Sequence, residues 1–141
     1  MTDPHLTRIL VPVDGSAPSH KAVRLAARVA HALGSELMLV HVGSLREHPL
    51  LLADQEIAEA DGQGRAVLDS CLHLTAAAGV KAETTLLQGR ASEQILRFAR
   101  RYRPQLIVMG TRGLSGPKSL LLGSVSRDVS KGAECSVLLA R

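Results

Sequence analysis

The chain has 141 residues, a formal net charge of +4 and 45% hydrophobic residues. This length and apolar content are enough for one buried core, so we expect a single domain over residues 1–141. One Tyr, one Phe and no Trp argue against the aromatic platforms on which single-stranded nucleic acids stack. The modest basic excess suits a polyanionic ligand, but it is too small to predict specific nucleic-acid binding.

Apolar runs and helical stripes alternate through the first half of the chain. Residues 8–14 predict a buried strand with a turn, after which Ser16 and Pro18 mark the start of a helix over residues 17–33 that Gly34 ends. The apolar run at 36–42 predicts a second strand. Residues 43–64 mix proline, glycines and acids, so we interpret them as a long connection into a helix that Gly79 closes.

The same alternation continues in the second half. Residues 80–87 predict a strand near the edge of a sheet, and a helix begins at Ser92, with an inner face formed by Ile95, Phe98, Ala99 and Tyr102. A strand at 106–109, a short helix at about 124–131 and a last strand at 136–140 follow. This order predicts an α/β fold: a doubly wound, five-stranded parallel sheet, Rossmann-like, with helices on both faces.

A glycine-rich segment follows the fourth predicted strand. Gly110, Gly113, Gly123 and Ser124 give the pattern G-x2-G-x9-G-S. Glycines allow backbone N–H groups to approach an anion, and Ser124 can cap the next helix and present donors to a phosphate. One Gly-x-x-Gly pair is usually only a turn, but the full spacing resembles the signature of the ATP-binding branch of the universal stress protein family.

The resemblance covers essentially the whole chain and implies an adenine nucleotide alpha hydrolase-like fold that binds ATP, with or without Mg²⁺ or Mn²⁺. It implies that the adenine and ribose side of the site is lined by Pro12, Val13, Asp14 and Val42. It also implies that the ribose and phosphates are held by Met109, Gly110, Arg112, Gly113, Gly123, Ser124, Val125 and Ser126. These residues lie at three predicted strand ends, where parallel sheets bind their ligands.

Several charged residues allow two interpretations. Asp14 precedes a glycine and can simply form a turn, or its carboxylate can contact a ribose, an adenine amine or a metal ion near phosphates. Arg112 and Lys118 are either solvated loop cations or phosphate contacts, with Arg112 favoured. The arginines of the third predicted helix fit a solvated helix face better than a nucleic-acid patch; they are Arg97, Arg100, Arg101 and Arg103.

Three functions remain open from the sequence. The favoured one is a regulator or sensor of the stress response that binds ATP; the others are a slow ATPase or nucleotide-handling enzyme and a scaffold without nucleotide. We predict no catalytic residue, because no nucleophile elbow and no general base with an orienting partner are evident. The last strand, Ser136 to Ala140, is short and apolar, and we expect it to form a homodimer across a two-fold axis.

The remaining sequence features concern the compartment and metals. No apolar run approaches the ~20 residues that span a bilayer, and residues 1–7 lack the apolar core of a secretory signal. Cys71 and Cys135 are far apart and form no C-x-x-C pair, so we expect buried free thiols in a reducing cytosol. The six histidines form no zinc-binding pattern. We therefore predict a cytoplasmic protein without membrane contact or a metal site of its own.

Overall fold

The computed structural model describes residues 6–43, 54–112 and 122–141. Within these ranges strands and helices alternate along the chain. The strands are β1 (Arg8–Pro12), β2 (Glu36–Gly43), β3 (Ala82–Gln88), β4 (Leu106–Gly110) and β5 (Ser136–Ala140). The helices are α1 (Ala17–Leu33), α2 (Asp54–Ala77), α3 (Ala91–Tyr102) and α4 (Ser124–Gly132). The alternating order predicted from the sequence is confirmed.

The five strands form one parallel sheet in the order β3-β2-β1-β4-β5. In the centre, Arg8 pairs with Glu36 and Pro12 with Val40, while Ile9 pairs with Leu106 on the other side of β1. The chain therefore winds outward through β2 and β3, and then crosses back to place β4 beside β1. This arrangement confirms the doubly wound fold and puts the reversal of strand order between β1 and β4.

Two apolar cores cover the two faces of the sheet. Ile9 and Val11 of β1 pack into the core beneath α1 and α2, whereas Leu10 points into the core beneath α3 and α4. All three side chains are fully buried. Because successive strand residues point to opposite faces, a continuous apolar run is what a central strand covered on both sides requires.

Local capping signals determine the bounds of α1. The Ser16 hydroxyl accepts a hydrogen bond from the Ser19 N–H at 3.3 Å, and Pro18 lies in the first turn. At the other end Gly34 has a φ of +70° and its N–H bonds to the carbonyl of Ala30. A serine N-cap and a left-handed glycine are the preferred ends of a helix. The predicted span of residues 17–33 is confirmed.

The structure corrects the prediction for residues 43–64. Helix α2 already begins at Asp54, so residues 54–64 are helical rather than part of a connection; residues 44–53 lie outside the described ranges. Gly64 is buried within the helix, where an added Cβ would lie 2.6 Å from Leu86 Cδ1. A glycine that suggested a loop in the sequence instead allows the helix to approach the sheet closely.

The inner face predicted for α3 is also partly wrong. Ile95 is buried, and Phe98 and Ala99 pack against the same core, but Tyr102 is 40% exposed. The tyrosine is the last residue of the helix, and its ring lies 4.4 Å from that of Phe98. The guanidinium of Arg101 lies 5.5 Å from the ring centre. Tyr102 therefore covers the end of the core from the surface instead of filling it.

Within the residues that the structure describes, no helix combines the length and apolar character that crossing a bilayer requires.

The Cys71 thiol predicts a dependence of stability on alkaline pH. Burial, and to a smaller extent the charge of Asp14, raises the pKa of Cys71 to about 11, although a hydrogen bond with Ser70 lowers it. An unfolded cysteine has a pKa of about 8.5, so the unfolded chain loses this proton first as pH rises. We expect the free energy of unfolding to decline between those two pKa values. Urea unfolding of wild type and Cys71→Ala across this range should show a steeper decline in wild type; parallel declines would contradict the prediction.

Candidate functional site

A cleft opens at the carboxyl ends of β1, β2 and β4, where the strand order reverses. Its cavity has a volume of about 120 Å³ and opens to solvent. The residues that line it are Pro12, Val13, Asp14, Ser19, Val40, Val42, Ala91, Ile95, Met109, Gly110, Arg112, Gly123, Ser124, Val125 and Ser126. The cleft therefore draws on both halves of the chain.

One wall of the cleft is apolar. Val40 and Val42 project from the same face of β2, because alternate residues of a strand share a face. Ile95 of α3 and Met109 of β4 are almost fully buried beside them and belong to the same core. This wall is an extension of the hydrophobic core to the surface, so it offers an apolar contact for an apolar or aromatic group.

Asp14 lies at the mouth of the cleft in a tight turn. Its Oδ1 accepts a hydrogen bond from the Ser16 N–H at 2.9 Å, and its own N–H donates to the Ser19 hydroxyl at 3.2 Å. Gly15 follows with a φ of +82°, a conformation that costs glycine little. Asp14 therefore does form a turn, the first of the two interpretations of this residue. The same turn holds the carboxylate among the lining residues of the cleft.

The opposite wall is polar and includes the start of α4. The N-cap of this helix is Gly123, with φ −71° and ψ 163°, so the expectation that Ser124 caps the helix is wrong; Ser124 is its first residue. The Gly123 N–H donates to the Thr111 carbonyl at 2.7 Å, which ties the helix to the end of β4. The N–H groups of a first helical turn have no acceptor within the helix, and they form the positive end of its dipole.

Ser126 also connects α4 to β4. Its hydroxyl donates to the Gly110 carbonyl at 2.8 Å, and its side chain is buried. The bond satisfies a strand carbonyl at the point where the sheet ends. It therefore sets how close the helix start lies to β4 and to the cleft.

We expect Ser126→Ala to lower the free energy of unfolding by about 1–3 kcal/mol, because a buried carbonyl would lose its hydrogen-bond partner. Ser130→Ala is the matched control, since the Ser130 hydroxyl only adds a bond to the helical carbonyl of Ser126. Urea unfolding of both variants measures the difference. Equal losses would show that the Gly110 carbonyl does not depend on Ser126.

The structure brings most of the predicted site residues together. Eleven of the twelve line the cleft, and Gly113 lies outside the described residues, as does Lys118. The lining residues that sequence reasoning missed are Ser19, Val40, Ala91 and Ile95. A signal existed for Val40, two positions before Val42 on the same strand, but α3 gave no indication that it reaches the cleft.

In the described part of the chain, no group of three or more His, Cys, Asp or Glu residues is placed to hold a metal ion. Among the described residues that line the cleft, Asp14 supplies the one carboxylate, together with hydroxyls and backbone donors. This donor set suits an anion better than a bare cation.

The doubly wound parallel sheet and the cleft at its switch point place the chain among the Rossmann-like α/β proteins with a candidate ligand site at the carboxyl ends of the strands. The model of the universal stress protein family matches residues 5–141. The chain belongs to this family.

Relatives resemble the chain over nearly its whole length. The universal stress protein YxiE of Bacillus subtilis (strain 168) is 34% identical over 95% of this chain and 98% of its own. A universal stress protein from Archaeoglobus fulgidus in complex with dAMP is 27% identical, with a TM-score of 0.73 over 96% of this chain and 98% of that one. Another universal stress protein, in complex with cAMP, is 26% identical, with a TM-score of 0.76 over 96% and 97%.

Proposed function

We propose that this protein binds adenine nucleotides, ATP among them, in the cleft at the carboxyl ends of β1, β2 and β4. The proposal rests on one observation: the cleft combines an apolar wall with the N-terminus of α4. A nucleotide needs both features, because its base is apolar on its faces and its phosphates are anionic. Helix N-termini are common phosphate sites.

Each part of the cleft matches one part of a nucleotide. The base would lie against the apolar wall, which includes Val40, Val42 and Ile95. The phosphates would accept hydrogen bonds from the first turn of α4, and the guanidinium of Arg112 would balance their charge. The Asp14 carboxylate would accept hydrogen bonds from ribose hydroxyls. The family resemblance likewise implies Val42 and Asp14 on the adenine and ribose side, and Arg112 on the side of the ribose and phosphates.

The ligands of the two related structures support an adenine nucleotide rather than one particular phosphate chain. cAMP and dAMP share the adenine and one phosphate attached at the 5′ carbon, but they differ in the free sugar hydroxyls. The common parts are those for which the cleft offers an apolar wall and a helix N-terminus. ATP is the physiological ligand that we propose, with Mg²⁺ or Mn²⁺ held mainly by its phosphates and at most by the Asp14 carboxylate.

We further propose that nucleotide occupancy regulates the protein in the cytoplasm, as part of a stress response, and that no residue of the cleft is a dedicated catalyst.

We also propose that the protein forms a homodimer through β5. β5 lies at the edge of the sheet and pairs with β4, and its Leu138 is 38% exposed. Unpaired edge strands favour association with another strand. Light scattering that gives a monomer mass at micromolar concentration would contradict the dimer.

Calorimetric titration tests the binding proposal. ATP, AMP and cAMP should each saturate one site per chain. No saturable heat with any adenine nucleotide would overturn the proposal.

A further inference from the structure

His41 contacts the backbone of the cleft from the opposite face of the sheet. It stands in β2 between Val40 and Val42, which both line the cleft, so its own side chain projects to the other face, toward α2. There its Nδ1 lies 2.7 Å from the carbonyl oxygen of Val13. A carbonyl only accepts hydrogen bonds, so Nδ1 must carry the proton and donate it. The imidazole thus bonds to a lining residue of the cleft without lining it.

The peptide group between Val13 and Asp14 is held at both of its polar ends. Its carbonyl accepts from His41 and its N–H donates to the Ser19 hydroxyl at 3.2 Å. The preceding N–H, that of Val13, continues the sheet ladder with a 2.8 Å bond to the Val40 carbonyl. Rotation of this peptide would break both bonds. The direction in which Asp14 leaves the strand is therefore fixed by two side chains from different elements.

Close packing of α2 holds the imidazole in this position. A Cβ added to the buried Gly64 would lie 3.1 Å from His41 Cδ2, a distance tighter than ordinary van der Waals contact. The helix backbone therefore covers the ring directly. A ring confined in this way loses little further entropy when it makes its hydrogen bond, which favours the bond to Val13.

We propose that His41 is a positioning residue of the nucleotide site, which orients the Val13–Asp14 peptide so that the Asp14 carboxylate meets the ligand. This inference rests on the proposed function of the cleft. His41 does not touch the ligand; it acts through the backbone. Because the Nδ1 donor is bonded to Cγ, only a side chain with a donor at that same position can replace it.

Two substitutions separate positioning from packing. In His41→Asn the amide nitrogen is bonded to Cγ, as Nδ1 is, whereas in His41→Gln it lies one bond farther out. We expect the Asn variant to keep AMP affinity within about threefold and the Gln variant to lose about tenfold, the equivalent of one hydrogen bond. Calorimetry is run with AMP as the probe at a temperature where each variant is fully folded. Equal affinities in Asn and Gln variants would overturn the inference.

A second measurement needs no ligand. Amide hydrogen exchange at Asp14 should be faster in the Gln variant than in wild type and unchanged in the Asn variant. The reason is that the Val13 carbonyl would lose its hydrogen bond only in the Gln variant. Unchanged exchange in both would overturn the positioning role. If wild type itself binds no AMP, the proposed function fails; if wild type binds and the Gln variant binds equally well, only the role of His41 fails.

Discussion

Gly110→Ala is expected to lower the free energy of unfolding by about 1–3 kcal/mol, as overpacking in a close-packed interior typically does. A Cβ at this position would lie 2.8 Å from the carbonyl carbon and Cβ of Pro18, and 2.9 Å from its carbonyl oxygen. These atoms are mostly backbone of the first turn of α1, which cannot move away as a flexible side chain could. Either the helix start or the end of β4 must shift, and both border the cleft.

Gly62→Ala is the matched control for this substitution. Gly62 is exposed within α2, and nothing lies within 4 Å of an added Cβ. The same chemical change should therefore stabilise the protein, by about 0.5–1 kcal/mol, through the better helix propensity of alanine. Urea unfolding should move the two variants in opposite directions from wild type. A Gly110→Ala variant as stable as wild type would show that the contact with Pro18 is not tight.

Val42→Trp is expected to weaken AMP and ATP binding by about 100-fold, or about 2.7 kcal/mol. Val42 is half-buried near the carboxyl end of β2 and lines the cleft. An indole there would occupy the space proposed for the base. Because the position is only half-buried, the larger side chain can extend into the cleft without displacing the core. Calorimetry measures the loss, and urea unfolding checks that the variant remains folded.

Val42→Ala distinguishes the effect of blocking the cleft from the effect of losing the contact between the valine side chain and the base. This change removes two methyl groups at about 0.8 kcal/mol each, so affinity should fall by no more than about 15-fold. The tryptophan variant should thus bind far more weakly than the alanine variant. If both variants bind like wild type, the base does not lie against β2, and the proposed placement is wrong.

The elements could be predicted from the sequence where local chemistry determines them. The Ser16 cap, Pro18 and the left-handed Gly34 define α1 without help from the rest of the fold. The start of α2 could not be predicted, because Gly64 is explained by its close approach to Leu86 of β3 and His41 of β2. Tyr102 fits the helical stripe by spacing, but the core ends before the last turn of α3. Periodicity gives the direction of a side chain, not the depth of the core.

The candidate site shows the same division between local and tertiary information. Strand ends and the glycine pattern predicted residues that the structure gathers in one cleft, because parallel strands bring their carboxyl ends to one edge. The glycine pattern nevertheless explained only part of why position 110 is a glycine. Gly110 lines the cleft, and its lack of a Cβ also leaves room for Pro18. The hydrogen bond of His41 to Val13 joins residues 28 positions apart, and no sequence pattern indicates it.

The most direct test of the central claim is a titration of ¹⁵N-labelled protein with ATP, followed through its backbone amide resonances. We predict that shifts concentrate at the two walls of the cleft, with the largest at the start of α4, and that the groove between α2 and β3, bordered by His73 and Lys81, stays unchanged. Saturable shifts confined to that groove, or no saturable shifts at all, would contradict the account.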